Sequence, residues 1–391
     1  LPSGRYFPDT FATIGVLSDQ LPSMNAAQTQ FAATHYVGTE KQLLPVTQAL
    51  RAINPNFLVL HYHLSMWQSA VDFIINGTSW GNDLPTVTTH ESWFWHNQQS
   101  QRVTAPDGKY LMNLLDPNFQ AYWQSSLEQQ VADGQYDGIF FDSAAPSVIQ
   151  GWCGAEDARL AATGVKDTPI AEWGGKTFIQ GWEAWIKPLN DALAAKGIPL
   201  LPNTSNFVTS WDSTNYGMTA GIFDEGYADT SLALADWQAS TKELLSLAAA
   251  DKLMILQNYM KATDVATRLY YLGNYLLVKG HHTYVFYFDQ TELEWYPEWT
   301  IDLGAPVSAT LPTDPQTLFV GGVYRRDFAK GAVLVNPSAS PVMVTLGATL
   351  KQVTPVGGGA VLPSGAVPGS LSTAPVTSVS VPAVGAVILL K

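Results

Sequence analysis

Two short stretches of the chain end in a carboxylate. Tyr136-Asp137-Gly138-Ile139-Phe140-Phe141-Asp142-Ser143 is an apolar run that closes on Asp142, and Gly221-Ile222-Phe223-Asp224-Glu225-Gly226 closes on Glu225. Short apolar runs bounded by polar and small residues read as buried parallel strands. Strand side chains alternate with period two, so Gly138, Phe140 and Asp142 share one face, as do Gly221, Phe223 and Glu225. Each acid therefore stands at a strand's carboxyl end, four residues after a glycine. In a barrel of parallel strands that end is an open mouth lined by loops. Two carboxylates at similar height around one mouth are the equipment for cleaving a glycosidic bond: one protonates the leaving oxygen, and the other attacks the anomeric carbon or activates water. Asp224 has the opposite parity and belongs toward the helices or a loop cap. Asp137, at the beginning of its strand, reads as structural.

Other side chains suit the same mouth. Asn203 and Gln257 end the fifth and seventh strand candidates, where a neutral amide can bond a hydroxyl or orient a carboxylate. In His61-Tyr62-His63 the alternation puts both histidines on one face, with His63 at the strand end as a donor to a sugar hydroxyl. A His-x-His pair can also hold a metal, but strands five, six and seven offer Asn203, Glu225 and Gln257 rather than more histidines, so no metal is expected. Trp93, Trp95, Trp211 and Trp295, with Tyr259, lie in segments that follow strands. The apolar faces of a sugar ring stack on such side chains, which makes them candidate substrate contacts. No strand end carries a lysine suited to a Schiff base, and no phosphate-binding glycine loop or G-x-S-x-G elbow occurs. Aldolase, nucleotide-binding and serine-hydrolase chemistry are excluded, and no cofactor is expected.

The elements that must position these residues follow in order. Strand candidates are Ala12–Leu17, His35–Gly38, Phe57–His63, the run ending at Asp142, Ile198–Asn203, the run ending at Glu225, Lys252–Gln257 and Thr283–Phe288. A helix is read from Glu40 to Ile53, and another opens at Asp116-Pro117, an N-cap followed by proline at the first helical position. Eight strands alternating with helices imply a (β/α)8 TIM barrel. After residue 304 short β-rich runs broken by Pro, Gly and Ser replace this pattern, so the expectation is a catalytic barrel over 1–304 and a small antiparallel β-sandwich over 305–391.

Composition agrees. All 13 tryptophans fall before residue 300. The last 87 residues hold two acids and five bases, a net +3, which leaves −16 of the total −13 on the first 304. Such acidity argues against nucleic acid as a partner, and no apolar run is long enough to insert in a membrane. Cys153 is the single cysteine, so no internal disulfide forms. A chain starting at Leu1, poor in lysine and rich in Thr, Ser, Asn and Trp, is read as exported to the extracellular space.

The strand ending at Asp142, preceded by Leu111-Met112-Asn113 and by the helix start Asp116-Pro117-Asn118-Phe119-Gln120-Ala121-Tyr122-Trp123, resembles hypothetical glycosyl hydrolase family 15. It is similar more distantly to endo-α-1,4-polygalactosaminidases. The resemblance covers roughly residues 10 to 300. It implies a glycoside hydrolase of poly- or oligosaccharides, α-linked ones included, with a strand-four aspartate matched by Asp142 and a strand-six acid matched by Glu225. The alternatives from other classes are a carbohydrate-binding barrel without catalysis and a metal-dependent hydrolase.

Overall fold

In a computed structural model of the chain, residues 1–391 are described except 2, 70–72, 76–77, 81–82, 146–148, 150–152, 155, 162–163, 204–216 and 290–292; at 73–75 and 78–80 the backbone alone is described. Trp211 lies outside the described residues. Eight parallel strands form the barrel: β1 Gly15–Gln20, β2 Gly38–Lys41, β3 Leu58–Leu64, β4 Gly138–Asp142, β5 Leu200–Pro202, β6 Gly221–Glu225, β7 Leu253–Tyr259 and β8 Thr283–Phe288. The ladder runs β6-β7-β8-β1-β2-β3-β4-β5, and a parallel bridge from Asn203 to Phe223 joins β5 to β6.

One apolar cluster fills the barrel and fixes which way every strand faces. Leu17, Leu60, Tyr62, Phe140, Leu201, Phe223, Ile255 and Tyr284 meet in it. Period two then sends Asp19, Asp142, Asn203, Glu225 and Gln257 inward one layer higher, above the apolar plug. The glycine that precedes each acid by four residues has a packing reason. A Cβ on Gly221 would stand 1.9 Å from the Leu253 carbonyl oxygen, so only glycine lets β6 approach β7 there.

Two strand boundaries differ from expectation. The chain at His35 is still helical (Ala26–His35), and β2 begins only at Gly38; Glu40 and Lys41, expected to open a helix, belong to this strand, and the helix starts at Leu44. Likewise β1 runs on to Gln20 rather than ending at Leu17. Both extensions are polar, Ser18-Asp19-Gln20 and Thr39-Glu40-Lys41, so hydrophobic patterning cut them off. Only the closed barrel, which buries them, makes them strand.

The helix Pro117–Gly134 that delivers the chain to β4 starts as read. The Asp116 carboxylate accepts from the Asn118 and Phe119 N–H groups at 2.9 and 3.1 Å, and Phe119, Trp123, Leu127 and Val131 form its buried stripe. Among the described residues no helix is long and apolar enough to cross a membrane.

The C-terminal strands form a six-stranded antiparallel sheet: β9 Phe319–Val320, β10 Val323–Phe328, β11 Gly331–Asn336, β12 Val342–Gly357, β13 Gly369–Val381 and β14 Gly385–Leu390, in the order β9-β10-β11-β14-β12-β13. One face, with Val333, Val335, Ala386 and Ile388, joins the main core. It lies against the barrel helix Val265–Val278, where a Cβ on Gly273 would come 2.5 Å from that of Ala386. The other face gathers Val323, Leu334, Val387 and Leu389 under Val344, Leu346, Val379 and Val381 of the long β12–β13 hairpin. The pairing shifts between Thr345 and Leu350, and this irregularity bends the hairpin back over its own sheet. Arg268, buried on the same helix, ties the two regions: it pairs with Glu298 at 2.6 Å and donates to the Gly357 carbonyl at 2.9 Å.

At the opposite end of the barrel from the inward acids, Asp137 is fully buried. It pairs with Arg5 and Arg51 at 2.7 Å each, accepts from the Val59 N–H at 2.9 Å and from the Ser3 hydroxyl at 3.0 Å. Replacing it leaves two guanidiniums without their anion. Asp137→Ala is expected to cost about 3–5 kcal/mol of stability in urea unfolding, with no change in the turnover of the folded fraction.

Candidate functional site

The inward acids at the ends of β4 and β6 meet at one residue of the strand between them. The Asn203 side-chain nitrogen donates to Asp142 Oδ1 at 2.8 Å and to Glu225 Oε2 at 2.8 Å. The two carboxylate oxygens therefore lie within 5.6 Å of one another, twice that distance. Asp142 also accepts the Tyr62 hydroxyl on Oδ2 and the Ser143 N–H on Oδ1, both at 2.7 Å. Glu225 Oε1 accepts the Tyr259 hydroxyl, and the Gln257 amide donates to that same hydroxyl at 3.3 Å.

The backbone helps to aim both acids. Each is followed by a residue in the left-handed region, Ser143 at φ 52° and Gly226 at φ 97°. A serine adopts that conformation at some cost, and here it turns its N–H back onto Asp142. Trp67 holds the turn by donating to the Ser143 carbonyl at 3.2 Å.

Burial, together with the charge of Asp142, raises the pKa of Glu225 above the ordinary glutamate value, against the bonds from Tyr259 and Asn203 that favour its ionised form. Burial and the nearby Glu225 charge push the Tyr259 hydroxyl far above its usual value, so it remains a donor.

A second set of charges stands on β1 and β2. The register that pairs Ser18 with Thr39 and Gln20 with Lys41 sets Asp19 beside Glu40. Lys41 forms an ion pair with Asp19. Burial opposes the Lys41 charge, but Asp19 and Glu40 outweigh it and hold its pKa above the ordinary lysine value. Glu40 is fully buried, and burial with the charge of Asp19 raises its pKa well above the usual range.

The structure brings Asp142, Glu225, Asn203, Gln257 and Tyr259 together. Tyr259 is 49% exposed, so its ring also faces the open side of the site. Gln257 is buried, and its carbonyl oxygen has no partner among the described residues.

Four expected contacts are elsewhere. His63 is corrected from the mouth to the shell: Leu60 and Tyr62 are the inward residues of β3, so His61 and His63 face the helices. His63 bonds Asp83 at 2.7 Å and packs against Trp123, while His61 bonds Gln130 at 2.6 Å. Burial and the neighbouring His63 lower the pKa of His61 to about 3. Among the described residues no group of three His, Cys, Asp or Glu is placed to hold a metal.

Trp93 is buried against Tyr122 and Phe119, and Trp95 is buried with its indole N–H on Asp157 at 2.9 Å and its ring against Trp173. Trp295 is buried between Tyr36, Phe31 and Trp299. These tryptophans build the core of the segments after β3 and β8. A buried tryptophan of this kind contributes about 3–5 kcal/mol by the cost of its truncation, which outweighs what a solvated stacking platform would gain the fold. Asp19, Glu40, Lys41 and Tyr62 were missed. The signal for Tyr62 was the alternation in β3 read one residue off; for the others it was a polar strand that hydrophobic patterning does not see.

The sequence matches the family described as hypothetical glycosyl hydrolase family 15 over residues 51–332, well over half of the chain. No curated protein matches it. Among solved structures it is similar to a family GH13_31 enzyme (TM-score 0.50, 10% identity, 98% of this chain and 99% of that one). It is also similar to the glycoside hydrolase domain of PelA from Pseudomonas aeruginosa (TM-score 0.41, 12% identity, 69% and 93%). A third is the α-amylase of Geobacillus thermoleovorans complexed with acarbose (TM-score 0.43, 10% identity, 98% and 99%). At 10% identity the likeness to the first of these is one of fold, whereas the family match spans the motif-bearing strands β4 and β6: the chain belongs to hypothetical glycosyl hydrolase family 15 and is a glycoside hydrolase.

Proposed function

We propose that the chain hydrolyses a poly- or oligosaccharide with retention of anomeric configuration, Asp142 acting as nucleophile and Glu225 as acid and base. The observation that carries this reading is the single Asn203 nitrogen shared by both carboxyls. It supports a separation near the roughly 5–5.5 Å of retaining pairs rather than the roughly 6.5–9.5 Å that leaves room for water in inverting ones.

The roles follow from the environments. Glu225, whose pKa is raised by burial and by Asp142, keeps the proton that the leaving oxygen needs. Asp142 Oδ2 attacks the anomeric carbon as the bond to the leaving group breaks, giving a glycosyl ester. Glu225, now ionised, takes a proton from water, and the hydroxide oxygen displaces Asp142. Tyr62 and Asn203 hold Asp142 in place through both steps, and Tyr259 steadies the charge that appears on Glu225. Among the described residues the inward acids Asp19, Asp142 and Glu225 outnumber the inward cation Lys41, which favours a neutral or cationic glycan over an anionic one. Export to the extracellular space, where polysaccharides are met, is part of this proposal.

Reducing-end release from a panel of polysaccharides is the test. Glu225→Gln is expected to lower kcat by about 10²–10⁴-fold, the range of a lost general acid, and Asp142→Asn to abolish turnover, both with glycan binding retained. Unchanged turnover in both variants would leave a carbohydrate-binding barrel instead. The first product anomer, read by NMR, should match the anomer cleaved; inversion sinks the nucleophile role of Asp142.

The pH profile gives a second check. Tyr259 bonds the ionised form of Glu225, so Tyr259→Phe raises the Glu225 pKa, and the alkaline limb of kcat/KM should move to higher pH. Stability moves as well. A carboxyl whose pKa is higher in the folded chain than in the unfolded one is disfavoured by folding once ionised. Glu225→Gln should therefore raise Tm at pH 7, and the gain should shrink as the pH falls through the folded Glu225 pKa toward the unfolded value.

A further inference from the structure

Across the barrel from the shared amide stands the ion pair of β1 and β2. The strand order sets β1 opposite β5 and β2 opposite β6. Lys41 Nζ lies 2.5 Å from Asp19 Oδ1, and the two side chains keep 11% and 9% of their surface open. The ammonium stands 5.0 Å from the centre of the Tyr62 ring, whose hydroxyl is 2.7 Å from Asp142 Oδ2. The ammonium therefore stands over the phenol whose hydroxyl holds the nucleophile. The pair precedes residues 51–332, the part of the chain that matches the family.

A buried ion pair seldom repays its desolvation by mutual attraction alone, and this one sits at the site rather than at the stabilising end of the barrel. A carboxylate accepts and an ammonium offers three donors. Side by side they match two adjacent hydroxyls, each of which can both donate and accept. With the anomeric carbon between Asp142 and Glu225, the edge of the sugar ring that reaches β1 and β2 is the far one, C3–C4.

Building on the hydrolase reading above, we propose that Asp19 and Lys41 bind the C3 and C4 hydroxyls of the sugar whose bond is cleaved. The substrate class follows: that sugar carries both hydroxyls free, as a non-reducing terminal residue or as one linked onward through O2 or O6.

The probes are the 4-nitrophenyl α- and β-glycosides of glucose, galactose and their 2-amino counterparts, with the 3-deoxy and 4-deoxy analogues of whichever is hydrolysed. Deleting either hydroxyl should lower the wild-type kcat/KM by about ten- to hundredfold, the worth of a hydrogen bond to a charged group. Because Lys41→Met alone leaves Asp19 buried without its cation, the paired variant Asp19→Asn/Lys41→Met is used with it. The paired variant should lose as much on the parent glycoside and show no further loss on the deoxy analogues. Full deoxy penalties in that variant, or a wild type indifferent to both deletions, overturn the assignment. So does a wild type that releases reducing ends from a 4-linked polysaccharide while cleaving none of these glycosides. Asp142→Asn serves as the control: if it hydrolyses the parent as fast as wild type, the hydrolase reading has failed rather than this one.

Discussion

Two carboxylates that repel one another are held to a single amide nitrogen. Asn203 can do this because it stands on the strand between theirs, faces inward as they do, and has two hydrogens that diverge from one atom. The demand it places on the fold is large. Three neighbouring strands must keep the same parity and height, and the barrel must close at that point, which it does through the bridge from Asn203 to Phe223. A slip of one residue in β4 or β6 would bring Phe141 or Asp224 to the mouth and send the acid into the shell.

The apolar plug below makes that slip expensive. Phe140, Leu201 and Phe223 lie two residues before Asp142, Asn203 and Glu225, so the packing that stabilises the barrel and the geometry of the site are set by the same register. The two ends of the barrel then divide their work. At one end Asp137 is surrounded by donors that satisfy it. At the other, Glu225 and Glu40 are buried beside like charges, and their pKa values are raised in consequence. The helix Val265–Val278, clasped by the C-terminal sheet and by the Arg268–Glu298 pair, braces the strands on either side of it, β7 and β8.

Much of the site was legible in the chain. An apolar run can be placed in a parallel strand by its composition, and the residue that ends it has its direction fixed by counting in twos. Asp142, Glu225, Asn203 and Gln257 were reached that way. Counting failed at His63, because a strand such as β3, apolar or aromatic on both faces, does not say which face is inside. Tyr62 took the inward place since Leu60 packs with Phe140 and Leu201 in the plug. It failed again at Trp93, Trp95 and Trp295, where position after a strand suggested a mouth. An indole gains more from an enclosed partner, such as Trp173 for Trp95, than from an open surface.

By itself the sequence determined the alternation of strands and helices, the change of texture near residue 304, and the pair of acids four residues beyond their glycines, because local period and composition carry these. Tertiary structure alone decided that Ser18–Gln20 and Thr39–Lys41 are strand and that Asp19, Glu40 and Lys41 are enclosed with the acids. Polar residues carry no hydrophobic signal of their own, and only closure of the eight strands removes them from water and sets Asp19 and Lys41 of neighbouring strands together.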